Sequence, residues 1–452
     1  MYYCKVGDTF LPAPEPDVNH VFAGLREFRS KLVHRMVSTP YTIEEVVDTY
    51  KGRKRTIYQQ ASESLNNTGL KRGHAISDCF VKVEKGNTSK APRCIQPRRP
   101  EYNLVLGKYI KKIEHRMYRR IAKIYGDGPT VMKGYTVQDV ARIMRGKWDS
   151  FSDPVAVGLD AVKFDMHVSA AMLEWEHSIY KAVTTDTREL NRLLRWQMFN
   201  KGRGRCVDGK LTYTVKGKRF SGDMNTALGN CIIMCGLVYT YLKEKGMHGK
   251  LVNNGDDCVV FMERGDLEGF VEGLDEWFYS YGFRMTSEEP VFDFEKIEFC
   301  QMRPILGPNG WVMVRNIKAA LVKDCLCTID LDGVSARKWM YAVGECGLAL
   351  TSGIPIMQEF YLALMRNGDS SSNITQSLQF QSSGLRHMRG ELDAKASAVS
   401  AEARRSVYVA WGITPDEQVV LEEHFRSWVF DPSPGDIHVS QPPIFHGISL
   451  SW

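Results

Sequence analysis

Apolar and polar positions change period several times along the chain, and the changes mark its elements. Two short extended runs, Lys250 to Val252 and Cys258 to Met262, flank the corner Asn253-Asn254-Gly255-Asp256-Asp257 within HGKLVNNGDDCVVFME, residues 248 to 263. Such runs about a Gly- and Asn-containing corner predict a β-hairpin. The buried-type run Val155 to Leu159 ends at Asp160. That placement predicts a strand with Asp160 at a sheet edge, beside the hairpin tip if the two segments pair. GRGRCVDGKLTYTVKGKRF predicts a basic hairpin turning at Asp208-Gly209, and EFCQMRPILGPNGWVMVR another turning at Gly307-Pro308-Asn309-Gly310.

Helical spacing fills most of the remainder. Thr42 with Glu45 three residues later reads as a capping box ahead of VVDTYKGRKRTIYQQASESL. Residues 73 to 120 alternate like strand in their first half, with prolines at 92, 97 and 100, and take helical spacing in their second. Further helices are predicted over about 167–182, over 186–199, after the small-residue loop SGDMNTALGN, and over 266–281 as one amphipathic helix. From about 318 onward the pattern is mostly helical. A Ser-rich surface connection, GDSSSNITQSLQFQSSG, interrupts it, and a Pro-rich tail, DPSPGDIHVSQPPIFHG, closes it. The mixture predicts an α+β protein, and no repeat of fixed period is present.

Composition narrows the class. A chain of 452 residues exceeds one ordinary domain, so two or three subdomains are expected. Hydrophobic content of 43% and charged content of 25% are those of a soluble globular protein. Charge is unevenly placed. Between Lys71 and Arg120 there are fourteen Lys and Arg against four Asp and Glu, a local +10 in a chain of +6, so the remainder is near −4. A basic segment beside an acidic remainder points to a polyanion bound at one place. The eleven cysteines show no zinc spacing and read as reduced thiols. MYYCKVGDTF lacks the apolar core of a signal peptide, and the longest apolar stretch, Cys231 to Leu242, is too short to span a bilayer.

Three constellations carry chemistry. Adjacent carboxylates at a hairpin tip, Asp256 and Asp257, suit a hard cation such as Mg²⁺, although a lone Gly-Asp-Asp is also an ordinary solvated turn. Asp160, with Asp165 five residues on in GLDAVKFD, supplies a second acidic position. If Asp160 and Asp256 bracket two ions, one activates an attacking hydroxyl and the other steadies a leaving oxygen; taken alone, Asp160 is equally a helix cap. In the second constellation, Ser221 and Gly222 form a flexible corner. Thr226 and Asn230 follow four apart on one helix face, where a hydroxyl and an amide can read a sugar or a template backbone. The third is a strand-like arm of cations, Lys82, Lys85, Lys90, Arg93, Arg98 and Arg99, suited to phosphates.

Basic arm, D-x₄-D, S-G-x₃-T-x₃-N, G-D-D and then an aromatic-Cys hairpin is a specific order. In KVEKGNTSKAPRCIQPR with the following YN-x₃-G-x-Y, SGDMNTALGNCIIM and NNGDDCVV the chain resembles the RNA-dependent RNA polymerases of the tombusvirus family of plus-strand RNA plant viruses. The matched blocks cover roughly 80 to 305. The resemblance implies a right-hand fold with a small antiparallel palm sheet backed by helices. It implies an N-terminal segment and fingers over 1–150 (basic arm 73–120), palm over 151–184, a fingers insertion over 185–220, palm again over 221–297, and a mostly helical thumb with the C-terminal tail over 298–452. It assigns metal binding (Mg²⁺, or Mn²⁺) to Asp160 and Asp256 with Asp257 assisting, ribose recognition to Asp165 and Asn230, and triphosphate contact to Lys90 and Arg93. Phe299-Cys300-Gln301 becomes the loop supporting the growing strand, and Arg284 the proton donor to pyrophosphate. Expected partners are template and nascent RNA and nucleoside triphosphates. Relatives normally begin with a membrane-associated region that is not visible here, so either Met1 begins a catalytic portion only or the chain anchors through a partner; a membrane-anchoring viral replication protein, host factors and membrane-bound complexes in the host cytoplasm are also expected. A reverse transcriptase normally carries an aromatic residue two before the paired aspartates and a bulky residue near Asp165; Asn254 and Asp165 fit neither. A non-catalytic RNA-binding scaffold remains the alternative from another class, separable by a nucleotide-incorporation assay.

Overall fold

The buried-type run Val155 to Leu159 becomes part of an inner strand, Pro154–Ala161, of a four-stranded antiparallel sheet in the computed structural model. The structure describes residues 2–85, 92–206, 209–327, 331, 333–371 and 385–429. Lys90, Asp208, most of the Ser-rich connection and the Pro-rich tail therefore lie outside the described residues. The chain divides into two units. The first comprises Met1–Lys82, Ala91–Lys133 and Ser150–Pro290; the second comprises Val83–Lys90, Gly134–Asp149 and Val291–Trp452.

The sheet of the first unit runs in the order Met285–Ser287, Pro154–Ala161, Asp257–Glu263, Lys250–Asn254. Asp160 thus stands on an inner strand, at the end of the sheet and not on a lateral edge, which corrects the sequence expectation. Period-2 alternation explains its exposure. Val155, Val157, Leu159 and Ala161 face the main core with Cys258, Val260 and Met262, so Asp160 points to the other side and is exposed. Among the helices that pack into that core are Pro100–Tyr125, Ala170–Val183 and Thr226–Glu244. The first of these begins with Pro at its first turn and ends on Gly126 at φ 80°, the usual asymmetry of helix ends.

The Thr42–Glu45 capping box is present at the start of Ile43–Asp48. The helix does not continue unbroken: Thr49–Lys51 interrupts it and Gly52–Thr68 resumes at a glycine with φ 55°. The amphipathic stretch 266–281 likewise splits into Leu267–Val271 and Leu274–Ser280, because Gly273 takes φ 69°, which a helix cannot contain. The basic hairpin Phe199–Cys206 with Gly209–Lys216 extends a second sheet through Ser77–Val81 and Cys94–Ile95.

The second unit holds the hairpin Met302–Gly307 and Gly310–Arg315. Its helices include Gly333–Thr351, Met357–Asn367, Ala401–Trp411 and Pro415–Ser427. Among the described residues no helix is long and apolar enough to cross a membrane.

Candidate active site

Register brings the acidic positions together. Leu159 pairs with Cys258 across the two central strands, so the next residues toward the sheet end are Asp160 on one strand and Asp257 on the other, with Asp256 in the adjoining turn. All three carboxylates are exposed. The turn itself is built by Asn253, which is fully buried. Its Nδ2 donates to the Gly255 carbonyl at 2.7 Å, and its Oδ1 accepts from the Gly255 N–H at 3.2 Å. Gly255, at φ 89°, supplies the left-handed residue that this corner demands. Lys133 reaches the same corner, donating to Asn254 Oδ1 at 2.7 Å.

A cavity of ≈ 510 Å³ opens beside the turn, and Asp165, Ser221, Gly222, Thr226, Asn230 and Asp256 line it together. Five of these six are the sugar- and nucleotide-reading positions expected from the sequence. Asn230 Nδ2 donates to Asp165 Oδ1 at 2.9 Å. Desolvation raises the Asp165 pKa above the ordinary carboxylate value; the Asn230 hydrogen bond and Arg219 oppose the shift, and Asp256 adds to it. Ser221 Oγ accepts from the Gln96 N–H at 3.1 Å, so it braces the corner and does not cap the helix that follows. Thr226 Oγ1 donates to the Phe220 carbonyl at 2.7 Å. At Gly222 a Cβ would stand 2.5 Å from Pro97 Cα, so only glycine lets these two backbones meet.

Sequence reasoning missed the remaining wall. Tyr50, Lys54 and Lys111 also line the cavity, with Lys54 Nζ 4.9 Å and Lys111 Nζ 5.5 Å from the centroid of the Tyr50 ring. Two cations near one aromatic ring suit an anionic, ring-bearing ligand. Lys54 belongs to the GRKR run near Tyr50 and Lys111 to the basic segment 71–120, and nothing local joins the two. A larger cavity, ≈ 1150 Å³, lies within the second unit; of the predicted residues it takes in Gln301 alone, so the chemistry argues for the smaller one.

Several expected contacts are not where the arm reading put them. Arg98 is buried, its guanidinium paired with Asp223 and bonded to Asn200 Oδ1 (2.5 Å) and the Ala75 carbonyl (2.6 Å), so it is a structural cation and not a phosphate contact. Lys85 donates to the Lys323 carbonyl at 2.5 Å beside the Trp339 ring, and burial lowers its pKa, so it does not project from a free arm. Arg93 and Arg99 are exposed, and Lys82 is half-buried with its N–H on the Arg93 carbonyl at 2.8 Å. Phe299 is buried; Cys300 and Gln301 beside it take φ 52° and 60°, a tight turn that exposes Gln301. Arg284 lies over the Tyr279 ring at 5.3 Å, and the Val162 N–H donates to its carbonyl at 3.0 Å. Among the described residues the lining of the smaller cavity does not include Arg284, Asp160 or Asp257.

The donor set tests the expected metal. Asp160, Asp256 and Asp257 offer oxygen alone, and among the described residues no group of three His, Cys, Asp or Glu converges to hold an ion unaided. Oxygen donors of this kind suit a hard cation such as Mg²⁺.

Comparison with known proteins supports the same direction. A family model described as viral RNA dependent RNA polymerase matches residues 1–432. The chain is 45% identical over 429 residues to the RNA-directed RNA polymerase of Turnip crinkle virus, covering 92% of this chain and 54% of that protein. It is 43% identical over 434 residues to that of Melon necrotic spot virus (93% and 54%), and 38% identical over 429 residues to that of Tomato bushy stunt virus, strain Cherry (92% and 51%). The chain thus spans about half the length of these relatives.

Proposed function

The chain belongs to the viral RNA-dependent RNA polymerase family, in its tombusvirus branch, and from that premise we propose that it is the catalytic portion of a plant-virus replicase. It extends an RNA strand from ribonucleoside triphosphates on an RNA template, and it begins without a primer. The observation that carries this reading is the single cavity where Asp165, Asn230 and the Ser221-Gly222 corner meet Asp256.

Each residue has a role in that reaction. Asp160 and Asp256, assisted by Asp257, would hold Mg²⁺ or Mn²⁺, which would supply neutralisation of phosphate charge and activation of the attacking 3′-hydroxyl. Asp165 and Asn230 present a fixed polar face to the ribose. Ser221, Gly222 and Thr226 shape the wall beside it, Lys90 and Arg93 contact the triphosphate, and Arg284 gives a proton to the leaving pyrophosphate. Lys82 and Arg99 follow the RNA backbone, and Cys300 and Gln301 support the growing end. The α+β architecture is compatible with a right hand, in which the four-stranded sheet is the palm and the C-terminal helices the thumb. In the cell the chain works in the host cytoplasm at membrane-bound replication complexes, held there through an upstream region or an anchoring viral protein, with host factors.

The test is incorporation of radiolabelled UTP on poly(A) with Mg²⁺ or Mn²⁺ and no primer. Template-dependent, acid-precipitable product supports the reading. RNA binding without incorporation contradicts it and favours a scaffold.

A further inference from the structure

Behind the Asp165–Asn230 pair, and outside the cavity lining, lies a buried ionic chain that the reaction does not touch. Arg219 and Glu176 are paired, and both side chains are fully buried. Arg219 holds the sugar-reading pair at two points. Its backbone N–H donates to the Asp165 carbonyl at 2.9 Å, and its Nε donates to Asn230 Oδ1 at 3.1 Å. The second bond decides which way the amide faces. With Oδ1 occupied by a guanidinium, Nδ2 is the group turned to Asp165; flipped, the amide would set an oxygen against a carboxylate and an N–H against a cation.

Glu176 is fixed in turn. Tyr180 donates to its Oε1 at 2.6 Å and Asn225 Nδ2 donates to the same atom at 2.9 Å. The helix Thr226–Glu244 passes close over the ion pair. A Cβ at Gly229 would stand 2.3 Å from Arg219 Nη2 and 2.4 Å from Glu176 Oε1, so this glycine is where the helix yields to the pair. Backbone strain sets the approach: Lys218, a non-glycine at φ 70°, turns the chain after Gly217 so that Arg219 meets Asp165.

We propose that Arg219, anchored by Glu176, is a positioning residue for sugar selection: it locks the Asn230 amide so that Asp165 and Asn230 read the ribose 2′-hydroxyl as one rigid unit. The inference rests on the polymerase reading and goes beyond it, because neither Arg219 nor Glu176 touches substrate. A buried ion pair retained for orientation in place of stability is a known use of such pairs.

The experiment measures kcat/KM for UTP and dUTP on poly(A), with melting temperature, for wild type, Asp165→Ala, Asn230→Ala, Arg219→Lys and Glu176→Gln. Lysine keeps the charge but lacks the fork that serves Glu176 and Asn230 at once. Arg219→Lys is expected to narrow the UTP:dUTP ratio roughly tenfold, mainly through UTP, the scale of one charge-assisted hydrogen bond. In an Asn230→Ala background the same change should narrow it no further, as two residues acting through one amide require. If Arg219→Lys does not fold, the near-isosteric Glu176→Gln carries the same readout. A ratio within about twofold of wild type in a folded variant, while Asp165→Ala does narrow it, overturns the positioning role and leaves the polymerase reading intact. Absence of incorporation by wild type overturns both.

Discussion

Asn230 donates to Asp165 across 2.9 Å, joining the turn after the inner strand to the helix after the Ser221-Gly222 corner, 65 residues apart in sequence. Asp165 sits in the first turn of the short helix Phe164–His167, whose N-cap is Lys163. Its carboxylate bonds a side chain at the cavity wall and does not close a helix end.

Sugar selection follows from that bond. A site built to hydrogen-bond a hydroxyl penalises the analogue lacking it, since its own polar groups are left without partners. Asp165→Ala and Asn230→Ala should each narrow the UTP:dUTP ratio of kcat/KM by roughly ten- to a hundredfold, mainly by slowing UTP. A ratio that holds within about twofold while the melting temperature falls would make the pair structural.

The basic segment separates into two kinds of arginine. Arg98→Ala leaves Asp223 buried without its partner and should destabilise the chain by about 3–5 kcal/mol. Arg99 is exposed, so Arg99→Ala should leave stability within about 0.5 kcal/mol while lowering the log–log salt slope of RNA binding by about 1. Chemical denaturation and salt-titrated RNA binding of the two variants check both. An Arg98→Ala protein of normal stability with a flattened slope would return Arg98 to the RNA path.

Acid sensitivity should trace to His177. Burial lowers its pKa from 6.5 to about 4, where its Nε2 meets Gln197 Oε1 at 3.2 Å. A depressed pKa contributes stability above the unfolded value and loses it as pH falls toward the folded one. The window is therefore from about pH 6.5 down to about pH 4, and the loss is on the order of 3 kcal/mol. His177→Gln should flatten the fall in unfolding free energy between pH 7 and pH 4.5. An unchanged fall would place the acid-sensitive group elsewhere.

Local signals in the sequence transferred well to the structure. The Thr42–Glu45 box, the Gly255 corner and the buried-type run Val155 to Leu159 need only neighbouring residues, and the structure has them. Asp165, Asn230 and Asp256, which motif order grouped, line one cavity, whereas Asp160 and Asp257 of the same group do not. Partners far apart in sequence were not legible. Charge counting set Arg98 in a solvated arm because nothing nearby announces Asp223, 125 residues on. The segmented helix at 266–281 was lost to one glycine angle that hydrophobic spacing does not record. Glu176 did leave a trace: it falls on the stripe of Leu173, Ile179 and Tyr180, where a carboxylate must be paired to be buried.

The central claim is that the carboxylates at the sheet end serve phosphoryl transfer, and Asp256→Asn tests it most directly. The substitution keeps size and polarity at an exposed turn residue and removes the charge that a metal needs. Radiolabelled UTP incorporation on poly(A) with Mg²⁺ should fall below about a tenth of the wild-type rate, since losing a metal clamp forfeits several kcal/mol of transition-state stabilisation, while RNA affinity measured alongside stays near normal. Incorporation above about a tenth of wild type, with binding intact, would contradict the account.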